Sequence, residues 1–81
     1  MKIERVISWF NTKSEELVGE LNIDHIELKI LKEIFNPPQE DYLMYNPYDI
    51  HNSEANELKK YINIEFDFNQ FTYQIDCFQI N

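Results

Sequence analysis

Asn63-Ile64-Glu65-Phe66-Asp67-Phe68-Asn69-Gln70-Phe71-Thr72-Tyr73-Gln74-Ile75-Asp76-Cys77 alternates apolar and polar residues along most of its length. A period of two belongs to a strand that buries one face. Ile64, Phe66 and Phe68 share one parity, whereas Phe71, Tyr73, Ile75 and Cys77 share the other, so the buried face switches near Asn69 and Gln70. Such a switch marks a tight turn between two strands or a bulge within one. We read a final strand over 71–79, preceded by a shorter extended segment.

At the other end of the chain, Glu4–Phe10 (ERVISWF) is rich in β-branched and aromatic residues and runs into the polar cluster Asn11-Thr12-Lys13-Ser14, which reads as a strand and a turn. Residues 15–23 put Leu17, Leu21 and Ile23 on one face against Glu16, Glu20 and Asn22, giving a second strand paired with the first as a hairpin. Gly19, the only glycine, falls on the inward face. It either makes room for an aromatic neighbour such as Trp9 or marks a bulge.

Between these strand signals the period changes to that of helices. Ile26, Ile30, Leu31, Ile34 and Phe35 lie at helical spacing, with Asp24 and Glu27 in a capping-box arrangement. A helix over about 25–35 follows, stopped by Asn36-Pro37-Pro38. Residues 36–50 combine three prolines, three tyrosines and three acids and read as a loop with a short edge strand near 44–50, since Pro47 cannot donate to an inner ladder. Asn52 or Ser53 caps a second helix with an apolar stripe of Ala55, Leu58, Tyr61 and Ile62. The fold class is therefore α+β. One domain over 1–81 holds a small antiparallel sheet of three to five strands with two helices, in the order ββαβαβ. Trp9, Ile30, Leu31, Ile34, Phe35, Leu58, Phe66 and Tyr73 form its expected core.

Composition narrows function mainly by exclusion. The 81 residues carry 43% apolar and 15% aromatic side chains, too many for a disordered chain. Lys2, Glu4 and Arg5 interrupt the start of the chain, so a soluble cytoplasmic protein with no secretory leader and no membrane partner is expected. One cysteine, Cys77, excludes an internal disulfide framework and reads as a small buried apolar residue. A single glycine argues against phosphate-cradling loops, and no cofactor is expected. His25, His51 and Cys77 lack metal-ligand spacing, so no metal site is expected. Asp49-Ile50-His51 pairs a carboxylate with an imidazole, but no nucleophile is positioned beside it, so no catalytic residue is assigned and the chain reads as a non-enzyme.

Charge is the most informative feature. Fifteen acids against seven bases give −8, which disfavours nucleic acid and favours a basic protein as partner. Residues 33–81 hold nine of those acids and only Lys59 and Lys60 as bases; Glu33 to Leu58 hold six acids and no lysine or arginine. Tyr42, Tyr45 and Tyr48 are set into this acidic run, and tyrosine suits protein interfaces because it offers a large area and a hydroxyl at low entropic cost.

In size, acidity and α+β pattern the chain resembles the small immunity proteins that bacteria pair with contact-dependent growth inhibition and other polymorphic toxins. Glu16-Leu17-Val18-Gly19-Glu20, Tyr48-Asp49-Ile50 and Phe66-Asp67-Phe68 also look like segments of small bacterial domains associated with such loci. The resemblance implies a cytoplasmic inhibitor that neutralises a cognate basic toxin, foremost a nuclease, by electrostatic and steric occlusion. Glu40, Asp41, Tyr42, Tyr45, Tyr48, Asp49, Glu54 and Glu57 are the expected contacts, with the acids standing in for phosphates. Three alternatives stay open: an acidic nucleic-acid mimic regulating a DNA-binding or host-defence protein, a small ligand-binding subunit using Asp49 and His51, and a homo-oligomer formed through a free edge of the last strand.

Overall fold

Strand register dictates how the side chains are shared between two faces. The computed structural model describes residues 2–80. It contains β1 (Lys2–Asn11), β2 (Leu17–Asn22), α1 (Leu28–Phe35), a 3₁₀ turn at Gln39–Asp41, β3 (Tyr48–Ile50), α2 (Asn52–Leu58) and β4 (Phe71–Ile80). The order is ββαβαβ, and the strands form one antiparallel sheet, β2-β1-β4-β3. The α+β reading therefore holds, with four strands.

Arg5, Ile7 and Trp9 pair with Cys77, Ile75 and Tyr73; Tyr48 and Ile50 pair with Ile75 and Tyr73; Leu21 and Gly19 pair with Ile7 and Trp9. Directly opposed residues share a face, so all of these lie on the side that meets the helices. There Ile7, Ile50, Tyr73 and Ile75 join Ile23, Ile26, Leu31, Met44, Ala55 and Leu58 in one buried cluster. Leu31 and Leu58 are fully buried, each stabilising by about 2 kcal/mol. The opposite face carries Glu4, Val6, Ser8 and Phe10 of β1 with Thr72, Gln74, Asp76 and Phe78 of β4. Val6 and Ser8 are buried there, yet neither belongs to the main cluster.

Of the expected core residues, Leu31, Leu58 and Tyr73 are buried. Trp9, Ile30, Ile34, Phe35 and Phe66 pack around them partly exposed.

Both readings of Gly19 are realised. The Trp9 ring lies over it, so that a Cβ built there would stand 2.7 Å from Trp9 Cε2. Immediately beside it, Trp9 pairs with Gly19 but Phe10 pairs with Leu17, leaving Val18 as a bulge. The hairpin turn is tied by Asn11 Oδ1, which accepts from the amides of Lys13 and Ser14 at 2.8 and 3.0 Å, a local Asx arrangement.

Several boundaries differ from the sequence reading. Asp24 does not cap α1. Its carboxylate accepts from Arg5 N at 2.9 Å and Asn22 Nδ2 at 3.1 Å, and the helix starts later, with Glu27 in the capping position. Residue His51, not Asn52 or Ser53, precedes the first turn of α2, and its amide donates to Glu54 Oε1 at 2.8 Å. Residues 63–69 form no strand. Their alternation instead seats Phe66 and Phe68, stacked at 5.8 Å, edge-on against Tyr73 at 4.8 and 5.3 Å, and Tyr73 Oη accepts from Asp67 N. The parity switch is a tight turn, in which the amides of Gln70 and Phe71 return to Asp67 O. Finally, β4 lies between β1 and β3 only along residues 73–75, the three that β3 pairs with.

Candidate interaction surface

The tyrosine loop is organised by an acid that the sequence placed on its surface. Asp41 is buried, 8% exposed. Its Oδ1 accepts from Tyr45 N at 2.9 Å, while its Oδ2 accepts from Asn46 N at 3.1 Å and from the Tyr48 hydroxyl at 2.6 Å. The Tyr48 hydroxyl bond, followed by the two amide bonds, holds this carboxyl below the usual aspartate range despite burial. For Tyr48 the same contact works in the opposite sense: burial, then the Asp41 bond, pushes the phenol up to about 12.

Asp41 thus draws two successive amides inward and prevents residues 44–47 from continuing β3, which is why that strand covers only Tyr48–Ile50. Met44, fully buried, adopts a left-handed backbone with φ 55°. A non-glycine residue in that conformation costs about 1–3 kcal/mol and persists only where its surroundings hold it in position. Here the Asp41 carbonyl accepts from Met44 N at 2.9 Å. On the other side, the Arg5 guanidinium donates to Leu43 O.

Arg5 was not singled out by sequence reasoning, although its parity with Ile7 and Trp9 put it on the inner face of β1. Besides the loop contact, its amide donates to Asp24 and its carbonyl accepts from Ile23 N at 2.9 Å.

The fixed loop leaves Tyr42 and Tyr45 outside, 56% and 42% exposed. Glu40 and Asp49 are exposed as well. Lys32 reaches over the Tyr42 ring at 5.4 Å, so the base-free run from Glu33 to Leu58 does receive a cation from α1 in space. Glu57 is exposed and pairs with Lys60 at 3.1 Å. Glu54 is half-buried and committed to its helix: the Ser53 hydroxyl and then the His51 amide lower its pKa.

The eight sequence-predicted contacts therefore separate. Glu40, Tyr42, Tyr45, Asp49 and Glu57 are available at the surface. Asp41 and the Tyr48 hydroxyl are turned inward, and Glu54 is largely consumed by capping.

Two further hollows bear on function. Between α1 and α2, Glu33, Glu54 and Glu57 line a recess of about 190 Å³ with Ile30, Ile34 and Tyr61. Tyr61, placed by its spacing in the apolar stripe of α2, is 41% exposed, and its carbonyl lies 3.0 Å from His25 Nε2. Asp49 and His51 share a second hollow, of about 230 Å³, with Phe68, Phe71 and Tyr73. Among the described residues no group of three histidine, cysteine or acidic side chains is placed to hold a metal ion. Cys77 is partly exposed, its thiol pushed up by burial.

The molecule is thus a small α+β domain in which two short helices cover one face of a four-stranded antiparallel sheet and an internal carboxylate shapes a tyrosine-bearing loop. It belongs to the family described as Domain of unknown function (DUF7683), which it matches over residues 4–76, from β1 into β4. Comparison with curated proteins finds no match. No helix among the described residues is long and apolar enough to cross a membrane.

Proposed function

We propose that the protein is an immunity-type inhibitor in the cytoplasm that binds and neutralises a basic toxin, foremost a nuclease, by covering its phosphate-binding surface. The observation that carries this reading is the Asp41-fastened loop, which holds Tyr42 and Tyr45 exposed beside Glu40 and Asp49. A loop shaped before binding loses less conformational freedom on association. Exposed aromatics supply anchoring area, while unpaired carboxylates steer a cationic partner and oppose its Lys and Arg side chains as phosphates do. Inhibition of this kind needs no bond-making step.

The test is a binding titration against purified basic nuclease toxins, with loss of their nuclease activity as the second readout. Tyr42→Ala with Tyr45→Ala should weaken the complex by at least about tenfold. Glu40→Lys with Asp49→Lys should chiefly slow association and flatten its salt dependence. Wild-type affinity in both double variants would reject the loop as the contact surface.

A second reading, a small ligand-binding subunit, draws on the hollow shared by Asp49, His51 and Phe68. Chemical shifts confined to those residues on addition of an aromatic fragment library would favour it over the inhibitor.

A further inference from the structure

We infer that the protein self-associates through the outer half of β4, with Asp76–Ile80 of two copies pairing antiparallel across a two-fold axis. β1 pairs with β4 all the way to Ile80, but β3 reaches only Tyr73, Gln74 and Ile75. From Asp76 onward, nothing among the described residues pairs with the other side of β4. The loop that precedes β3 is drawn away from it by Asp41, and Pro47 has no amide to offer. A row of free backbone donors and acceptors is a template for another strand.

The other open stretches are guarded: β1 before Val6, which β2 does not reach, carries the charged Lys2, Glu4 and Arg5. β2 carries the Val18 bulge and the exposed Glu20, and β3 is three residues long with Asp49 at its centre. Cys77-Phe78-Gln79-Ile80 has no charge and no proline, and Phe78 and Ile80 are 45% and 40% exposed. On the helix side the same edge borders an apolar hollow of about 230 Å³ lined by Ile3, Tyr45, Cys77 and Gln79.

Charge selects a second copy as the occupant. On a molecule at −8, most contacts between copies would set acid against acid, but this edge does not. An axis at Phe78 places Phe78 opposite its own copy, Cys77 opposite Gln79, and Asp76 opposite Ile80. Lys2 pairs with Ile80 on the open face of the sheet. Asp76 of one copy therefore lies two strands, about 10 Å, from Lys2 of the other, within the span of a lysine side chain reaching over Ile80. The two copies of Glu4, each beside its own Phe78, are kept apart by both rings. A strand pair this short falls below standard interface size, so the dimer should be weak, with Kd on the order of 100 μM.

The proposal does not rest on toxin binding, and its test contains only this chain. Sedimentation of the full chain from about 10 μM to about 1 mM should show the weight-average mass rising from 9.9 kDa toward twice that value. Phe78→Lys should hold it at the monomer value with an unchanged circular dichroism spectrum, whereas Val18→Lys on the β2 edge should behave as wild type. Gln79→Cys, which puts a second thiol opposite Cys77 of the other copy, should yield a covalent dimer on mild oxidation at the higher concentration. A chain monomeric throughout this range, a dimer that survives Phe78→Lys but is lost with Val18→Lys, or no covalent dimer from Gln79→Cys would overturn the proposal.

Discussion

Replacing Gly19 with alanine tests the packing of the β1–β2 hairpin most directly. The added methyl carbon would lie 2.7 Å from Trp9 Cε2 and 3.1 Å from Trp9 Nε1, inside the ordinary carbon contact distance of about 3.5 Å. Either the indole leaves its place over β2 or the strand moves outward. Overpacking of this kind costs about 1–3 kcal/mol. In a domain of this size each kilocalorie lowers Tm by roughly 4–8 °C, so Gly19→Ala should melt about 5–20 °C below wild type. Thermal and urea unfolding followed by far-ultraviolet circular dichroism would measure the loss. The control is the same change in a Trp9→Leu background. Once the ring is gone, alanine should be neutral or better than glycine by roughly 0.5–1 kcal/mol, because glycine loses more freedom on entering a strand. A double-mutant cycle should therefore return a coupling of at least about 1 kcal/mol. Equal costs of Gly19→Ala in both backgrounds, or no cost in wild type, would refute the assignment of this glycine to the indole.

Acid titration should expose the roles of Asp41, Asp24 and Glu54, whose folded pKa values lie below their ordinary values of 3.8, 3.8 and 4.5. Their contribution is complete above those values and fades as pH falls through the lowered ones, so urea midpoints should hold from neutrality to about pH 5 and drop below about pH 4. A midpoint that rises on acidification would contradict this. At high pH the sign reverses for Tyr48, raised from 10.0 to about 12: the stability it confers is present below pH 10 and is lost as pH climbs toward 12. Absorbance at 295 nm should show a phenol ionising near 12, and Asp41→Asn should move that step down. Ser8 Oγ is buried without a hydrogen-bond partner among the described residues, so Ser8→Ala should leave stability unchanged or raise it by about 1 kcal/mol. A loss of similar size would show that the hydroxyl is satisfied after all.

The strands were legible because each reports its own environment. Alternation in 71–79 and the β-branched run at 4–10 place residues on faces without reference to anything distant, and these are the two long central strands. The helix starts were misread because a capping residue is chosen by competition. Asp24 has a nearby helix to cap, but the amide of Arg5, nineteen residues away, is a donor that local spacing cannot reveal. The same blindness applied to Asp41. In sequence it is one acid among six, and only the folded chain brings two amides and a phenol to it. Residues 63–69 show the reverse case, a true period-two pattern serving to cover Tyr73 with aromatic rings rather than to join a ladder. Exposure of Tyr42 and Tyr45 followed from the proline-bounded loop, whereas the inward turn of Tyr48 required knowing where Asp41 goes.

Arg5 makes two distant excursions of the chain mechanically dependent on one another. Its main chain grips the turn at Ile23 and Asp24, and its guanidinium grips Leu43. A fluctuation that withdraws this residue from the sheet would untether both segments at once, so the amides of Ile23 and of Tyr45 and Asn46 should exchange with solvent deuterium as one cooperative opening rather than as two independent ones.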